Sequence, residues 1–329
     1  MLQWFWLVVL AFALAVYLAL DGFDLGVGIL SGLIGDAELR DEMVASISPV
    51  WDGNGTWLVT AGTILFGAFP PVFAILLSAL YIPLAGMLAG LILRGVALEF
   101  RHKAERSRWI WDLLLCAGSL LATFMQGVAV GAYAQGLPVT KMHFSGTGME
   151  WCSSFPLWCG VGLVLGYMLL GAGWLVLKGY GRLSAFGHAA VQALVPMVVL
   201  ITASILVITL MTQPEIGTRW FSNPILLVLP ALGLLSFGGA WVTSRHSAAL
   251  HPYVFSVLGC VLILLMLVAS CLPYVVPFAL TLSEAAAPPA SQSFMFWGIG
   301  LFVLPMVVGY TWVSYSVFRG KVSRDQAYH

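Results

Sequence analysis

Three carboxylates sit inside apolar stretches: Asp21 and Asp24 in LDGFDLGVGIL, and Asp52 in VWDGNGTWLV. A charge at mid-bilayer costs roughly 2.5–3.5 kcal/mol or more, so such residues face a bundle interior, a partner or water. The chain spends its charges sparingly, with 14 Lys+Arg and 14 Asp+Glu among 329 residues. Buried acids of this kind suit a proton relay or an ion site. A hydrogen-bonded structural cluster is the plain alternative. Asp21 and Asp24 are three apart and share a helical face. Gly22, Gly26 and Gly28 surround them, and Gly53 and Gly55 flank Asp52; small residues let helix backbones approach closely.

The elements that must position these acids are membrane spans. Hydrophobic residues make up 60% of the chain and charged residues 9%, with mean hydropathy +0.97, against about 25% charged in a soluble domain. A zero net charge argues against a nucleic-acid partner. Apolar stretches of roughly 20 residues occur at about 4–34, 46–69, 72–93, 113–134, 155–177, 189–211, 224–243, 253–277 and 294–318. The expected fold is therefore an all-α polytopic membrane protein with nine transmembrane helices. The N-terminal stretch lacks a basic region and a small-residue cleavage site, and reads as a retained first span.

Lys/Arg asymmetry sets the orientation. One set of loops carries Arg40, Arg94, Arg101, Lys103, Arg106, Arg108, Lys178, Arg182, Arg245, Arg319, Lys321 and Arg324; the other holds only Lys141 and Arg219. The N-terminus is predicted outside and the C-terminus cytoplasmic. Asp24 then lies twelve residues from Asp36, about 18 Å deep, and Asp52 eleven residues from Asp41, about 16 Å deep. The two acids are predicted at similar depth in adjacent spans. Arg94 and Glu99, in the basic segment 94–112, are candidates for the cytoplasmic mouth of a polar pathway; positive-inside topology with local ion pairs explains them equally. Trp51 and Trp57 bracket WDGNGTW and either pack or shape an apolar conduit beside Asp52.

Other chemistry is poorly provided for. The histidines, His102, His143, His188, His246, His251 and His329, fall in loops, tails or span ends, whereas a membrane haem needs axial ligands at depth, most often His. No haem ligand and no metal motif is expected. The five cysteines include no CxxC pair and read as small packing residues.

DGFDLGVGIL (21–30), WDGNGTWLV (51–59), LRGVALEFRHK (93–103), LGYMLLGAGWLVLKGYG (165–181) and AAAPPASQSF with YSVFRGKV (285–322) occur in an order that resembles subunit II of cytochrome bd-type quinol oxidases, in the shorter, cyanide-insensitive-type branch. Gly55–Thr56 follows WDGN where relatives often carry Glu or Gln. The resemblance implies a bacterial inner-membrane complex that oxidises quinol and reduces O2 to water. It implies a haem-bearing subunit I with two haems b and a haem d (or a third haem b), a small single-helix accessory subunit, contact with lipid and quinone, and a possible structural quinone. This chain would ligate none of the haems. The implied fold is two four-helix bundles plus one C-terminal helix, here 1–135, 136–277 and 278–329. Carried over by position, Asp52 and Asp24 belong to a proton pathway, with Asp21, Arg94 and Glu99 in support, and Trp57, with Trp51 beside it, to an oxygen path. An ion-coupled secondary transporter and an inert assembly scaffold are the alternatives from other classes.

Overall fold

A computed structural model describes residues 1–246 and 249–321; Arg324 and His329 lie outside the described residues. In chain order the long helices are α1 (Leu2–Ser31), α2 (Ala37–Ile47), α3 (Trp51–Ala68), α4 (Pro70–Ala79), α5 (Tyr81–Arg101), α6 (Arg108–Gln135), α7 (Ser154–Lys178), α8 (Gly181–Thr212), α9 (Pro214–Ser222), α10 (Ile225–Thr243) and α11 (His251–Cys271). A C-terminal helix, Pro289–Val317, follows and carries a π-helical stretch at Phe296–Val303. Two short antiparallel hairpins, Val139–Thr140 with His143–Phe144 and Tyr274–Val276 with Leu280–Thr281, lie in the connections.

Among the described residues, eight helices are long and apolar enough to cross a membrane, or nine if α3 and α4 form one bent span. The stretches expected at 46–69 and 72–93 are partitioned differently. Residues 46 and 47 end α2, a short helix ahead of Pro49. α3 stops at Ala68 and the chain turns by 120° into α4. Phe69, at φ −135° and ψ 59°, precedes Pro70 and Pro71. A residue before proline is pushed out of the helical region, and proline donates no amide to continue the ladder. α5 then runs past the expected limit at 93 to Arg101.

α1 and α7 form the centre. Every α1 residue from Asp21 to Ser31 is buried, as is nearly all of α7 from Gly166 to Val176. The two helices cross at glycine: a Cβ on Gly26 would lie 1.8 Å from the Tyr167 carbonyl oxygen, and one on Gly171 would lie 2.5 Å from the Val27 nitrogen. Such small-residue contacts are how helices associate where no hydrophobic force separates protein from lipid. Around this pair α3, α5, α6, α8, α10 and α11 pack as further members. One apolar cluster runs from Phe23 and Leu25 through Trp174 and Leu175 to Phe237 and Ala240, joining both halves of the chain.

The basic loops gather at one end. Arg101, almost wholly buried, bridges Asp41 at 2.7 Å and Asp112 at 2.5 Å; Arg40 reaches Asp112 at 3.1 Å and Arg108 reaches Asp41 at 2.7 Å. Lys178 Nζ donates to the Phe318 carbonyl at 2.6 Å, and Lys321 Nζ to that of Gly179 at 3.1 Å. Asp36 caps α2 by accepting from the Leu39 amide at 3.2 Å and pairs with Arg182. Arg219, in α9, instead donates to the Ser270 and Leu272 carbonyls at the C-terminal end of α11, at 3.2 and 2.5 Å.

Gly26→Ala should lower the unfolding midpoint of the purified protein, because overpacking a tight contact destabilises by typically 1–3 kcal/mol; wild-type stability would contradict the crossing. The Leu39 amide, and then Arg182, hold the Asp36 carboxyl below its usual range. A carboxylate with a depressed folded-state pKa stabilises above its unfolded value of about 3.9, and that contribution is lost as pH falls through the folded value. Hydrogen exchange in α2 should therefore accelerate below about pH 4 in the wild type but show no such step in Asp36→Asn.

Candidate functional site: a buried polar cluster

Four helices converge on the fully buried half of α1. Asp21 and Asp24 have no exposed surface. α5 brings Arg94, whose Nη1 donates to Asp21 Oδ1 at 2.8 Å. α3 brings Asn54, whose amide nitrogen donates to Asp24 Oδ2 at 2.6 Å and approaches the Leu20 carbonyl at 3.4 Å. The C-terminal helix brings Tyr315, whose hydroxyl donates to Asn54 Oδ1 at 3.0 Å. From α11, Tyr253 donates to the Ala19 carbonyl at 3.3 Å. Further along α1, Tyr17 donates to Gln126 Oε1 at 3.5 Å, and Gln126 donates to the Tyr167 hydroxyl at 2.9 Å.

Two acids share one arginine. A buried ion pair survives where attraction and extra hydrogen bonds offset desolvation; Asp21 with Arg94 supplies one direct bond at 2.8 Å. Asp24 has only an amide donor. Asp21 Oδ2, Asp24 Oδ1, Arg94 Nε, Ser119 Oγ and Thr123 Oγ1 are buried without a protein partner. Buried polar atoms are nearly always hydrogen-bonded, so this cluster is a place for internal water, which binds where several polar groups converge.

The remaining candidates are placed apart. Asp52 lies on the exposed face of the first turn of α3, not beside Asp24. At 3.6 residues per turn, positions 52 and 54 point about 200° apart, so the residue facing Asp24 is Asn54. Glu99 also faces outward, its side chain 66% exposed and 3.7 Å from Lys103. Trp57 is buried, its Nε1 donating to Thr311 Oγ1 at 3.1 Å, with Phe12 edge-on at 5.7 Å. Trp51 is half-buried, with the Arg94 guanidinium 6.0 Å from its ring centroid.

Sequence reasoning did not single out Asn54, Tyr315, Gln126, Tyr17 or Tyr167. Asn54 and Gln126 carried a readable signal, as amides inside apolar stretches. A second feature, an apolar cavity of about 270 Å³, opens between α1, α6, α7, α8 and α11, with Tyr17, Gln126, Tyr167, Cys159, Cys260 and Trp220 in its wall.

A sequence model described as cytochrome bd terminal oxidase subunit II matches residues 2–318. The chain belongs to this family. It is 30% identical over 366 residues to cytochrome bd-I ubiquinol oxidase subunit 2 of Escherichia coli K12, covering 98% of this chain and 96% of the relative. It is 29% identical over 330 residues to cytochrome bd ubiquinol oxidase subunit 2 of Bacillus subtilis 168, covering 98% and 97%. The fold is shared with the bd oxidase from Geobacillus thermodenitrificans, with TM-score 0.78 at 15% identity over 96% of this chain and 98% of that one. The chain is thus a bacterial membrane protein.

Subunit II membership implies haems in a partner subunit. Among the described residues, none is placed to hold one. His102, His143, His246 and His251 lie at helix ends, in a turn or in a hairpin, and His188, near the start of α8, is engaged by the Ser244 carbonyl at 2.8 Å. Among the described residues no group of three or more His, Cys, Asp or Glu is placed to hold a metal ion.

Removing one partner of a buried ion pair costs typically 3–5 kcal/mol, because the other charge is stranded. Arg94→Leu should therefore destabilise the protein severely, and Arg94→Leu with Asp21→Leu much less. Thermal unfolding in detergent reads this; equal losses in the two variants would argue against the pair.

Proposed function

We propose that this chain is the haem-free subunit II of a membrane quinol oxidase reducing O2 to water, and that its buried cluster moves protons toward the haem-bearing subunit I. The supporting observation is the arrangement Arg94–Asp21 beside Asp24–Asn54–Tyr315, in a bundle with no histidine at depth among the described residues. Reducing one O2 to two waters takes four electrons, from two quinols, and four protons. In this reading the quinol is oxidised at the outer side and the protons come from the cytoplasm, so charge crosses the membrane. Arg94 is engaged by Asp21 at 2.8 Å. Asp24, with one amide donor and one unpartnered oxygen, is the group free to accept and pass a proton. Arg101 with Asp41 and Asp112 lies seven residues from Arg94 along α5, about 10 Å, at the cytoplasmic end. In this reading the N-terminus is outside and the C-terminus inside, in keeping with the Lys/Arg asymmetry.

Asp52 belongs to a second part of the same reading. It heads an outward stripe of α3 with Thr56, Val59, Thr63 and Phe66, which are exposed or nearly so. A carboxylate turned toward lipid is costly, so subunit I covers this face and takes Asp52 into a shared path. Glu99, paired with Lys103 on the surface, gathers protons at most. Trp57 and Trp51 border an O2 route, since O2 partitions into apolar surroundings. The 270 Å³ cavity is the place for a structural quinone. The units 1–135, 136–277 and 278–329 are our division of the chain into two four-helix bundles and a final helix.

The test is purification through a tag on this chain. A larger co-purifying subunit and haem bands in the reduced-minus-oxidised spectrum are expected; a stable, haem-free chain alone would sink the assignment and revive the transporter. Asp24→Asn and Asp52→Asn should each keep the haem bands and lower O2 consumption by about tenfold or more, in the range of general acid–base effects. Normal turnover in both would refute the relay and leave a scaffold.

A further inference from the structure

The C-terminal helix is the least buried of the long helices, with only 6% of its apolar window inside the fold. Gln292 and Met295 near its start are buried, and in its last half, where no residue is fully buried, two side chains one turn apart still reach interior groups. Thr311 accepts from Trp57 and Tyr315 donates to Asn54. The approach is close enough that a Cβ on Gly53 would lie 3.0 Å from the Tyr310 ring. Where the helix ends, Lys178 donates to the Phe318 and Gly320 carbonyls at 2.6 and 3.1 Å, and Lys321 returns a bond to Gly179.

Asn54 is an amide that can present either a donor or an acceptor to Asp24. We infer that Tyr315 is a positioning residue for the proton relay, holding the Asn54 amide so that its nitrogen, not its oxygen, faces Asp24. The inference rests on the relay reading of Asp24. Three contacts agree on this orientation. The Leu20 carbonyl only accepts, so the nitrogen belongs on its side at 3.4 Å. Asp24 Oδ2 accepts from that nitrogen at 2.6 Å. On the opposite side the amide oxygen receives the Tyr315 hydroxyl at 3.0 Å. An N–H donor stabilises the carboxylate form of Asp24 and a carbonyl oxygen stabilises the acid form. Whichever end of the amide faces Asp24 therefore sets how readily that group gives up its proton. Without the tyrosine hydroxyl, the Asn54 oxygen is left without its donor and the amide is free to turn.

The groups around Asp24 are Asp21 on its own helix, Asn54 from α3, Arg94 from α5, Tyr253 from α11 and Tyr315. Of these, Tyr315 reaches the acid through Asn54. Its removal should therefore act only while Asn54 is present.

The experiment uses the purified oxidase with subunit I, measuring haem content and O2 consumption against pH for Tyr315→Phe, Asn54→Leu, the double variant and Asp24→Asn. Tyr315→Phe should keep the haem bands, lower turnover about tenfold and displace the pH of half-maximal turnover by about one unit, a tenfold change in an ionisation equilibrium. Added to Asn54→Leu, it should change neither quantity further, because two residues acting through one contact are not additive. Wild-type turnover and profile in Tyr315→Phe, or independent losses in the double variant, would overturn the inference. Fluorotyrosine at position 315 keeps the shape and alters only the strength of the donor; it should displace the profile in the sense opposite to Tyr315→Phe. This settles the matter even where Tyr315→Phe does not assemble, and an unmoved profile there overturns the inference. Normal turnover in Asp24→Asn would instead remove the relay itself. A slow Asp24→Asn beside an unaffected Tyr315→Phe would remove only the positioning role.

Discussion

A carboxylate buried in a bundle that stands in lipid has no bulk water to fall back on, and the organisation around α1 answers that constraint. Asp21 is tolerable because Arg94 reaches it at 2.8 Å, and Arg94 reaches it because α5 and α6 pack tightly at the flank of α1. The glycine crossing with α7 closes the other side. The pair is thereby removed from solvent, where an exposed ion pair is worth little, and placed where losing one partner is severe. One arginine facing two acids leaves the second acid with a neutral amide as its donor. That imbalance separates the cluster from a purely structural salt bridge, and it follows from packing two carboxylates one turn apart against a single cation.

Charges are layered along α5. Arg94 sits among apolar walls, while Arg101, one heptad on, gathers Asp41 and Asp112, with Arg40 and Arg108 joined to the same two acids. Arg101 is as buried as Arg94, yet both its partners are near a helix end and can exchange with water. The inner pair is fixed and the outer set adjustable. Ser119 and Thr123 on α6 carry hydroxyls that are buried without a protein partner. On the far side of Asp21 the polarity thins to Tyr17, Gln126 and Tyr167 at the edge of an apolar cavity. Charged and polar groups and apolar space are thus segregated along one helix.

Much of this was legible from the sequence, because membrane spans and intramembrane charges are strong signals. The abundance of membrane spans and the intramembrane placing of Asp21 and Asp24 were readable; Arg94 was read as a loop charge or a pathway mouth, whereas the structure buries it against Asp21. The bend at Phe69 was less so: Pro70 and Pro71 mark a break, but hydropathy alone reads two straight stretches across it. Asp52 shows a different limit. Its depth follows from counting residues, but the direction it faces depends on where α3 packs, and that turns Asn54 inward in its place. Tyr315 had no local signal at all, since its partner lies 261 residues away and only the path of the C-terminal helix brings them together.

That helix also shows why the isolated chain is incomplete. A helix with so little of its surface buried draws little stability from its own bundle, yet it supplies hydrogen bonds to two interior side chains, Trp57 and Asn54. Bonds of this kind specify geometry but contribute only about 1 kcal/mol each. Its start is anchored by the buried Gln292 and Met295 and by the Trp6 bond to the Gln292 carbonyl, but the last half, with no buried residue, has only these two bonds and a lysine clasp to fix its angle against α3. Its outward residues, with Phe294, Trp297, Phe302, Met306 and Trp312 among the most exposed, continue past the face of α3 that carries Asp52. In the assembly we propose, a second subunit packed on this face would fix the helix angle that places Tyr315. The docking surface and the proton-handling cluster would then be mechanically one unit.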